Sequence, residues 1–278
     1  LPSIYIYYKE VLTGKIKFKT DIESRTALSV LGEVLQGEAN ADFIISSDNR
    51  SPVAESLRSV RSKMSYYLPG ESSKVVLLSS CLPGEGKSFI TTNLGLSLSL
   101  MGKRTLVIAA DMRKPRLHKA FGVNANVGLS QILIGKLSWQ EAIVKTEFEN
   151  LDILPPGPIP PNPAELLLNG NYSKMIQSLR ERYDFILVDT PPLGLISDAE
   201  IMASDADLSL FVVRHDHSLK EAVQKILGPI GEDSKFWSAA IVFNGLKTRG
   251  ITKYGRSYGY GGYGLGYGYA YGDDKSSS

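Results

Sequence analysis

The chain has 278 residues, 43% of them apolar and 22% charged, a composition that builds a packed core rather than a disordered polymer. Its 31 Lys and Arg against 29 Asp and Glu leave a formal charge of +2, too weak a field for nucleic-acid binding, so no nucleic-acid partner is expected. The single cysteine, Cys81, excludes an internal disulfide, and no apolar run reaches the ~18 residues of a membrane span.

The first stretch, Leu1-Pro2-Ser3-Ile4-Tyr5-Ile6-Tyr7-Tyr8, is aromatic and apolar and runs into Lys9, Lys15, Lys17 and Lys19 with Glu10 as the opposing charge. Tyrosines followed by lysines read as the inner edge of a membrane span, while alternating tyrosines also read as an edge strand; both readings stay open. Residues 1–50 are accordingly expected to be a membrane-proximal segment, with a transmembrane part upstream in the same polypeptide. Ser51-Pro52 is a good N-cap and first helical position, and Glu55, Arg58 and Arg61 then recur at a spacing of three on one broad helical face. Spacing alone makes that face a solvated charged one.

Six aliphatic runs follow at Val75–Leu78, Thr105–Ile108, Leu151–Leu154, Phe185–Val188, Leu208–Val213 and Ala239–Phe243, as in strands buried on both faces. Phe89–Met101, Ser138–Lys145, Tyr172–Arg182 and Leu219–Leu227 supply crossover helices. The order predicts a doubly wound, mainly parallel α/β sheet over residues 51–245.

Between the first of these strands and its helix stands Cys81-Leu82-Pro83-Gly84-Glu85-Gly86-Lys87-Ser88. Glycines at a strand-to-helix turn aim backbone N–H groups inward, and the helix adds its positive end, so the loop cradles phosphates. Lys87 then reaches the β- and γ-phosphates of a nucleotide and Ser88 ligates Mg²⁺; the pattern departs from G-x-x-x-x-G-K-[ST] only in having Cys81 for the first Gly. Asp111 and Asp189 follow two strands at the sheet edge that carries this loop. Two carboxylates ~4 Å apart repel by about 4 kcal/mol at an effective dielectric of 20, a cost that a shared Mg²⁺ removes. Asn244, after the last strand, stands where an adenine-reading residue or a simple turn residue would. His118, His215 and His217 are too scattered for a metal site.

Residues 246–278 are glycine-rich and hold Tyr254, Tyr258, Tyr260, Tyr263, Tyr267, Tyr269 and Tyr271, with almost no aliphatic residue. This composition is expected to be a disordered tail, usable as a phosphoacceptor or as an aromatic adhesive.

Pro83-Gly84-Glu85-Gly86-Lys87-Ser88, Ala110-Asp111-Met112-Arg113-Lys114-Pro115, Ile186-Leu187-Val188-Asp189-Thr190-Pro191-Pro192, the proline-rich Pro155–Pro163, Glu55-Ser56-Leu57-Arg58-Ser59-Val60-Arg61 and the tyrosine cluster together resemble the bacterial tyrosine kinases of exopolysaccharide and capsule biosynthesis. The resemblance implies a P-loop NTPase fold with Walker A, A′ and B motifs. ATP and Mg²⁺ would be bound by Pro83, Gly84, Glu85, Gly86, Lys87, Ser88 and Phe89, with Asn244 at the base. Lys87, Asp111 and Asp189 would be catalytic, and Ser88, Asp111 and Asp189 would hold the metal. The product would be phosphorylated tyrosine in the protein's own tail, made mainly between subunits of a ring joined through Glu55, Arg58 and Arg61. Further implied partners are a membrane chain-length regulator, in the same or another chain, and a tyrosine phosphatase, at the cytoplasmic face of the bacterial inner membrane. Many members carry an Asp two residues before the one matched by Asp111; here that place is Ala109. The competing expectations are an ATPase switch that leaves tyrosine unmodified and a nucleotide-dependent scaffold of an export complex.

Overall fold

The computed structural model describes residues 14–37, 42–70, 72–194, 198–231 and 234–247. The seven tail tyrosines and Leu1–Glu10 lie outside the described residues. Eight strands form one sheet: β1 Val30–Leu35, β2 Lys74–Ser80, β3 Thr105–Ala109, β4 Val144–Lys145, β5 Leu151–Leu154, β6 Phe185–Asp189, β7 Leu208–Arg214 and β8 Ala239–Leu246. Their order across the sheet is β1-β8-β7-β2-β6-β3-β5-β4. Every pairing is parallel except β4 with β5. All six expected strands are therefore present, buried on both faces as their unbroken aliphatic runs require.

The strands are linked by α1 Lys19–Glu23, α2 Pro52–Tyr67, α3 Lys87–Ser99, α4 Leu117–Ala120, α5 Leu129–Leu133, α6 Trp139–Ala142, α7 Pro163–Leu168, α8 Asn171–Arg180, α9 Asp198–Ala203 and α10 Lys220–Ile226. Ser51 caps α2 by accepting from the Ala54 N–H at 3.3 Å, and Ala54, Leu57, Val60 and Met64 turn its apolar face inward. Each sheet face carries its own apolar layer, one with α3 and α2, the other with α8, α9 and α10. Among the described residues no helix is long and apolar enough to cross a membrane.

Two elements differ from expectation. The helix expected over Ser138–Lys145 stops at Ala142: Ile143 is extended, with φ −74° and ψ 134°, and Val144–Lys145 pair antiparallel with Asp152 and Ile153. Ile143 and Val144 are β-branched, and at a free sheet edge such residues gain more from extended backbone and the ladder than from another helical turn. The second is β1, which falls within the segment 1–50 and pairs with β8, so the sheet reaches upstream of residue 51. Gly32 lets α2 approach: a Cβ there would stand 2.6 Å from Val60 Cγ2. Upstream of α1, Ile16 and Lys15 bridge the chain to Ser218 and Leu219.

Candidate functional site

Because β2 lies between β7 and β6, and β3 flanks β6, the turns after all four strands open on one sheet edge. The turn after β2 is the phosphate loop. Gly84 and Gly86 take φ of +82° and +96°, and Gly86 is the N-cap of α3, so Lys87 and Ser88 form the first helical turn. Left-handed backbone at both glycines directs successive N–H groups to one side, the concavity that phosphate oxygens fill.

Lys87 Nζ stands 3.5 Å from Asp189 Oδ1 and 3.6 Å from Asp111 Oδ2, an ammonium between two carboxylates. Ser88 Oγ donates to Asp189 Oδ2 at 2.7 Å. The Arg113 and Lys114 backbone N–H groups donate to Asp111 Oδ1 at 3.2 and 3.0 Å, fixing the free end of that loop. Burial pushes the Asp189 carboxyl above its ordinary range and the Asp111 charge adds to the rise, while Lys87 and Ser88 oppose it. Asp111 is the more open of the pair, 8% exposed against 2%. Loop, lysine, hydroxyl and both carboxylates thus converge.

Glu85 points into the protein. Its carboxylate accepts from the Leu82 N–H at 2.8 Å and from the Ser218 hydroxyl, and burial pushes its pKa up to about 7 against those bonds. Its side chain shapes the loop, leaving the backbone N–H for a ligand. The β7–α10 turn braces the same loop: Arg214 donates to the Gly84 carbonyl at 2.8 Å and His217 Nε2 lies 3.0 Å from the Pro83 carbonyl. Asn244 donates to the Glu85 carbonyl at 3.0 Å, so its amide supports the loop from below. Phe89 packs partly buried against the core. Burial also pushes the Cys81 thiol above its ordinary range, which makes it a packing group at the loop's first position.

Sequence reasoning missed Ser218 and Asp198, and weighed His217 only as a metal ligand. Asp198, 1% exposed, takes a two-point ion pair from Arg113 at 3.1 and 3.2 Å, tying the loop after β3 to α9. The Asp198 pairing spans 85 residues, with no local signal that could have marked it. On α2, Arg58 pairs with Glu55 and donates to the Ser46 carbonyl at 2.9 Å, on the exposed side. Arg61 instead turns inward, donating to the Ser97 carbonyl and hydroxyl of α3 at 3.0 and 2.8 Å.

The residues present fit a magnesium nucleotide. Two carboxylates and a hydroxyl are hard oxygen donors, and magnesium is commonly held by one or two carboxylates, waters and substrate phosphates. Among the described residues no three His, Cys, Asp or Glu side chains gather as an all-protein metal cage.

The AAA domain family matches residues 73–231. Tyrosine-protein kinase YwqD of Bacillus subtilis is 34% identical over 77% of this chain and 90% of that protein. Tyrosine-protein kinase Wzc of Salmonella typhimurium is 33% identical over 75% of this chain. The chain spans only 28% of Wzc and 36% of a Ralstonia solanacearum relative. Among solved structures, the kinase domain of Escherichia coli tyrosine kinase ETK superposes with a TM-score of 0.75 at 25% identity, covering 86% of this chain and 97% of that one.

Proposed function

The chain belongs to the bacterial tyrosine-protein kinases, and from that premise we propose that it transfers the γ-phosphoryl group of ATP to tyrosines of its own C-terminal cluster, mainly between subunits. The observation that carries this is the Lys87 ammonium held between Asp111 and Asp189 at the mouth of the phosphate loop. The bond from the γ-phosphorus to the ADP oxygen breaks, a bond to the phenolic oxygen forms, and the phenolic proton passes to the Asp111 carboxylate or to water.

The N–H groups of residues 84–88 and the start of α3 hold the phosphates; the Lys87 ammonium offsets γ-phosphate charge beside the two carboxylates. Ser88, Asp111 and Asp189 would hold magnesium, which when bound neutralises charge developing on the phosphate oxygens. Phosphoryl transfer has a loose transition state, so positioning and charge stabilisation dominate over base catalysis. That accommodates Ala109, where many relatives' carboxylate is absent. Asp111, the more open acid, is the group within reach of an incoming phenol.

In this reading Glu55 and Arg58 supply an intersubunit contact, and a chain-length regulator of polysaccharide export, attached to or partnered with the kinase at the inner membrane, is what the tail's charge state controls. Each phosphate adds about −1.5 to −2 charges, so repeated transfer drives a mildly basic tail out of neighbouring sites and loosens the ring until a tyrosine phosphatase reverses it. The test is incubation with labelled ATP and Mg²⁺, with Lys87→Met beside it. Label on the tail that disappears in Lys87→Met supports the kinase; free phosphate alone makes the chain an ATPase switch, and neither makes it a scaffold.

A further inference from the structure

Between the loop after β3 and the proline-rich segment 155–161 lies a basin of about 540 Å³. Arg113, Lys114, Arg116 and Lys119 line it, and no acidic side chain does among the described residues. Arg113 is engaged with Asp198, whereas Lys114, Arg116 and Lys119 form no ion pair among the described residues. Cations gathered round one concavity without counter-charge repel one another until an anion enters. His118 lines the same wall, 7% exposed, with its Nδ1 unpartnered. Burial and the neighbouring Lys119 hold that imidazole below its ordinary pKa. Beside Asn126, the remaining wall carries the apolar side chains of Pro115, Pro158 and Ile159, the last 64% exposed.

The basin adjoins the reaction site, since the backbone N–H groups of Arg113 and Lys114 hold Asp111. We propose that it binds phosphotyrosine, with the phosphate among Lys114, Arg116 and Lys119 and the ring against Pro158 and Ile159. This rests on the kinase reading above. A bare anion has no use for the apolar wall and an apolar ligand none for the cations; a phosphorylated ring uses both. Guanidinium groups match phosphate geometry in a two-point fork, and the volume is that of a small-ligand pocket.

The consequence is successive modification. Neighbouring tyrosines in the tail are two to four residues apart, which is ~7–14 Å of extended chain. Asp111 and Lys114 are three residues apart. A product phosphotyrosine seated in the basin keeps the next hydroxyl of its segment beside Asp111, so one encounter yields several phosphates.

The experiment titrates a synthetic peptide of residues 257–271, phosphorylated at Tyr263, into the full, dephosphorylated chain by calorimetry. Its arms are the unphosphorylated peptide, inorganic phosphate, and vesicles containing anionic lipid as competitor. The variants are Arg116→Ala/Lys119→Ala and the charge reversal Arg116→Glu/Lys119→Glu. Expected is phosphopeptide binding roughly tenfold tighter than its unphosphorylated form. Both variants should lose that margin with ATP affinity and melting temperature unchanged, and tails sampled early should carry single rather than multiple phosphates. Equal phosphopeptide affinity in wild type and variants overturns the proposal. Inorganic phosphate binding as tightly as the phosphopeptide overturns recognition of the ring, and vesicles displacing the peptide at matched charge reassign the basin to a membrane surface. Because the peptide arrives phosphorylated, basin-dependent binding by a chain that never labels its tail would sink the kinase reading alone, and labelling with an indifferent basin would sink this one alone.

Discussion

Replacing Gly86 by alanine tests whether the phosphate loop is braced from β8. Gly86 has φ +96°, and a Cβ built on it would stand 2.2 Å from Asn244 Nδ2. An L-residue in left-handed backbone costs ~1–2 kcal/mol. The Asn244 amide must also leave the Glu85 carbonyl it serves at 3.0 Å in a buried setting, which adds ~1–3 kcal/mol for an unsatisfied acceptor. Gly86→Ala should therefore lose about 2–5 kcal/mol of stability, and Asn244→Ala about 1–3 kcal/mol, because it removes the same bond. In the double variant nothing remains for the new methyl to strike and the bond is lost once, so the paired loss should fall short of the sum of the single losses by ~1–3 kcal/mol. Urea denaturation of all four proteins, with slopes checked for constancy, measures this. Losses additive to within ~0.5 kcal/mol would refute the bracing, since independent sites behave that way.

Glu85→Gln should flatten the pH dependence of stability. The Glu85 carboxyl is raised by burial from 4.5 to about 7, so between those values the folded chain binds the more protons. Stability from this group is full below the unfolded value and is lost as pH rises through about 7, a fall on the order of 3 kcal/mol; urea midpoints that decline as steeply in the variant would contradict it. Arg58→Ala should reduce assembly, read by light scattering, while shifting stability by no more than about 0.5 kcal/mol, as exposed pairs do. Arg61→Ala should cost the monomer itself ~1–3 kcal/mol by vacating the Ser97 carbonyl and hydroxyl, so an equal loss in Arg58→Ala would invert this assignment. Arg113→Ala leaves the buried Asp198 uncompensated and should cost ~3–5 kcal/mol, with Asp198→Asn/Arg113→Ala recovering part of it in thermal melts.

The geometry of the phosphate loop was legible in the sequence because it is local: glycines, lysine and hydroxyl must be adjacent to turn their groups to one side, and a buried parallel strand must be aliphatic throughout. Strands that broke those rules were not. In β1, Gly32 interrupts the run to admit Val60, and β4 is a two-residue edge whose Val144 reads equally well as a helix continuation.

The bracing was illegible for a different reason. A buried acid such as Glu85 requires donors, but any donor will serve, and Ser218 meets it from 133 residues away. Register shows where a carboxylate at 109 would stand. Ala109 pairs with Asp189 across β3 and β6, and paired residues of parallel strands project to the same sheet face. An aspartate at 109 would crowd Asp189 with a second buried negative charge; with alanine there, the Lys87 ammonium has only Asp111 and Asp189 to balance. Lys87, Asp111 and Asp189 thus form one compact triad with no carboxylate at 109.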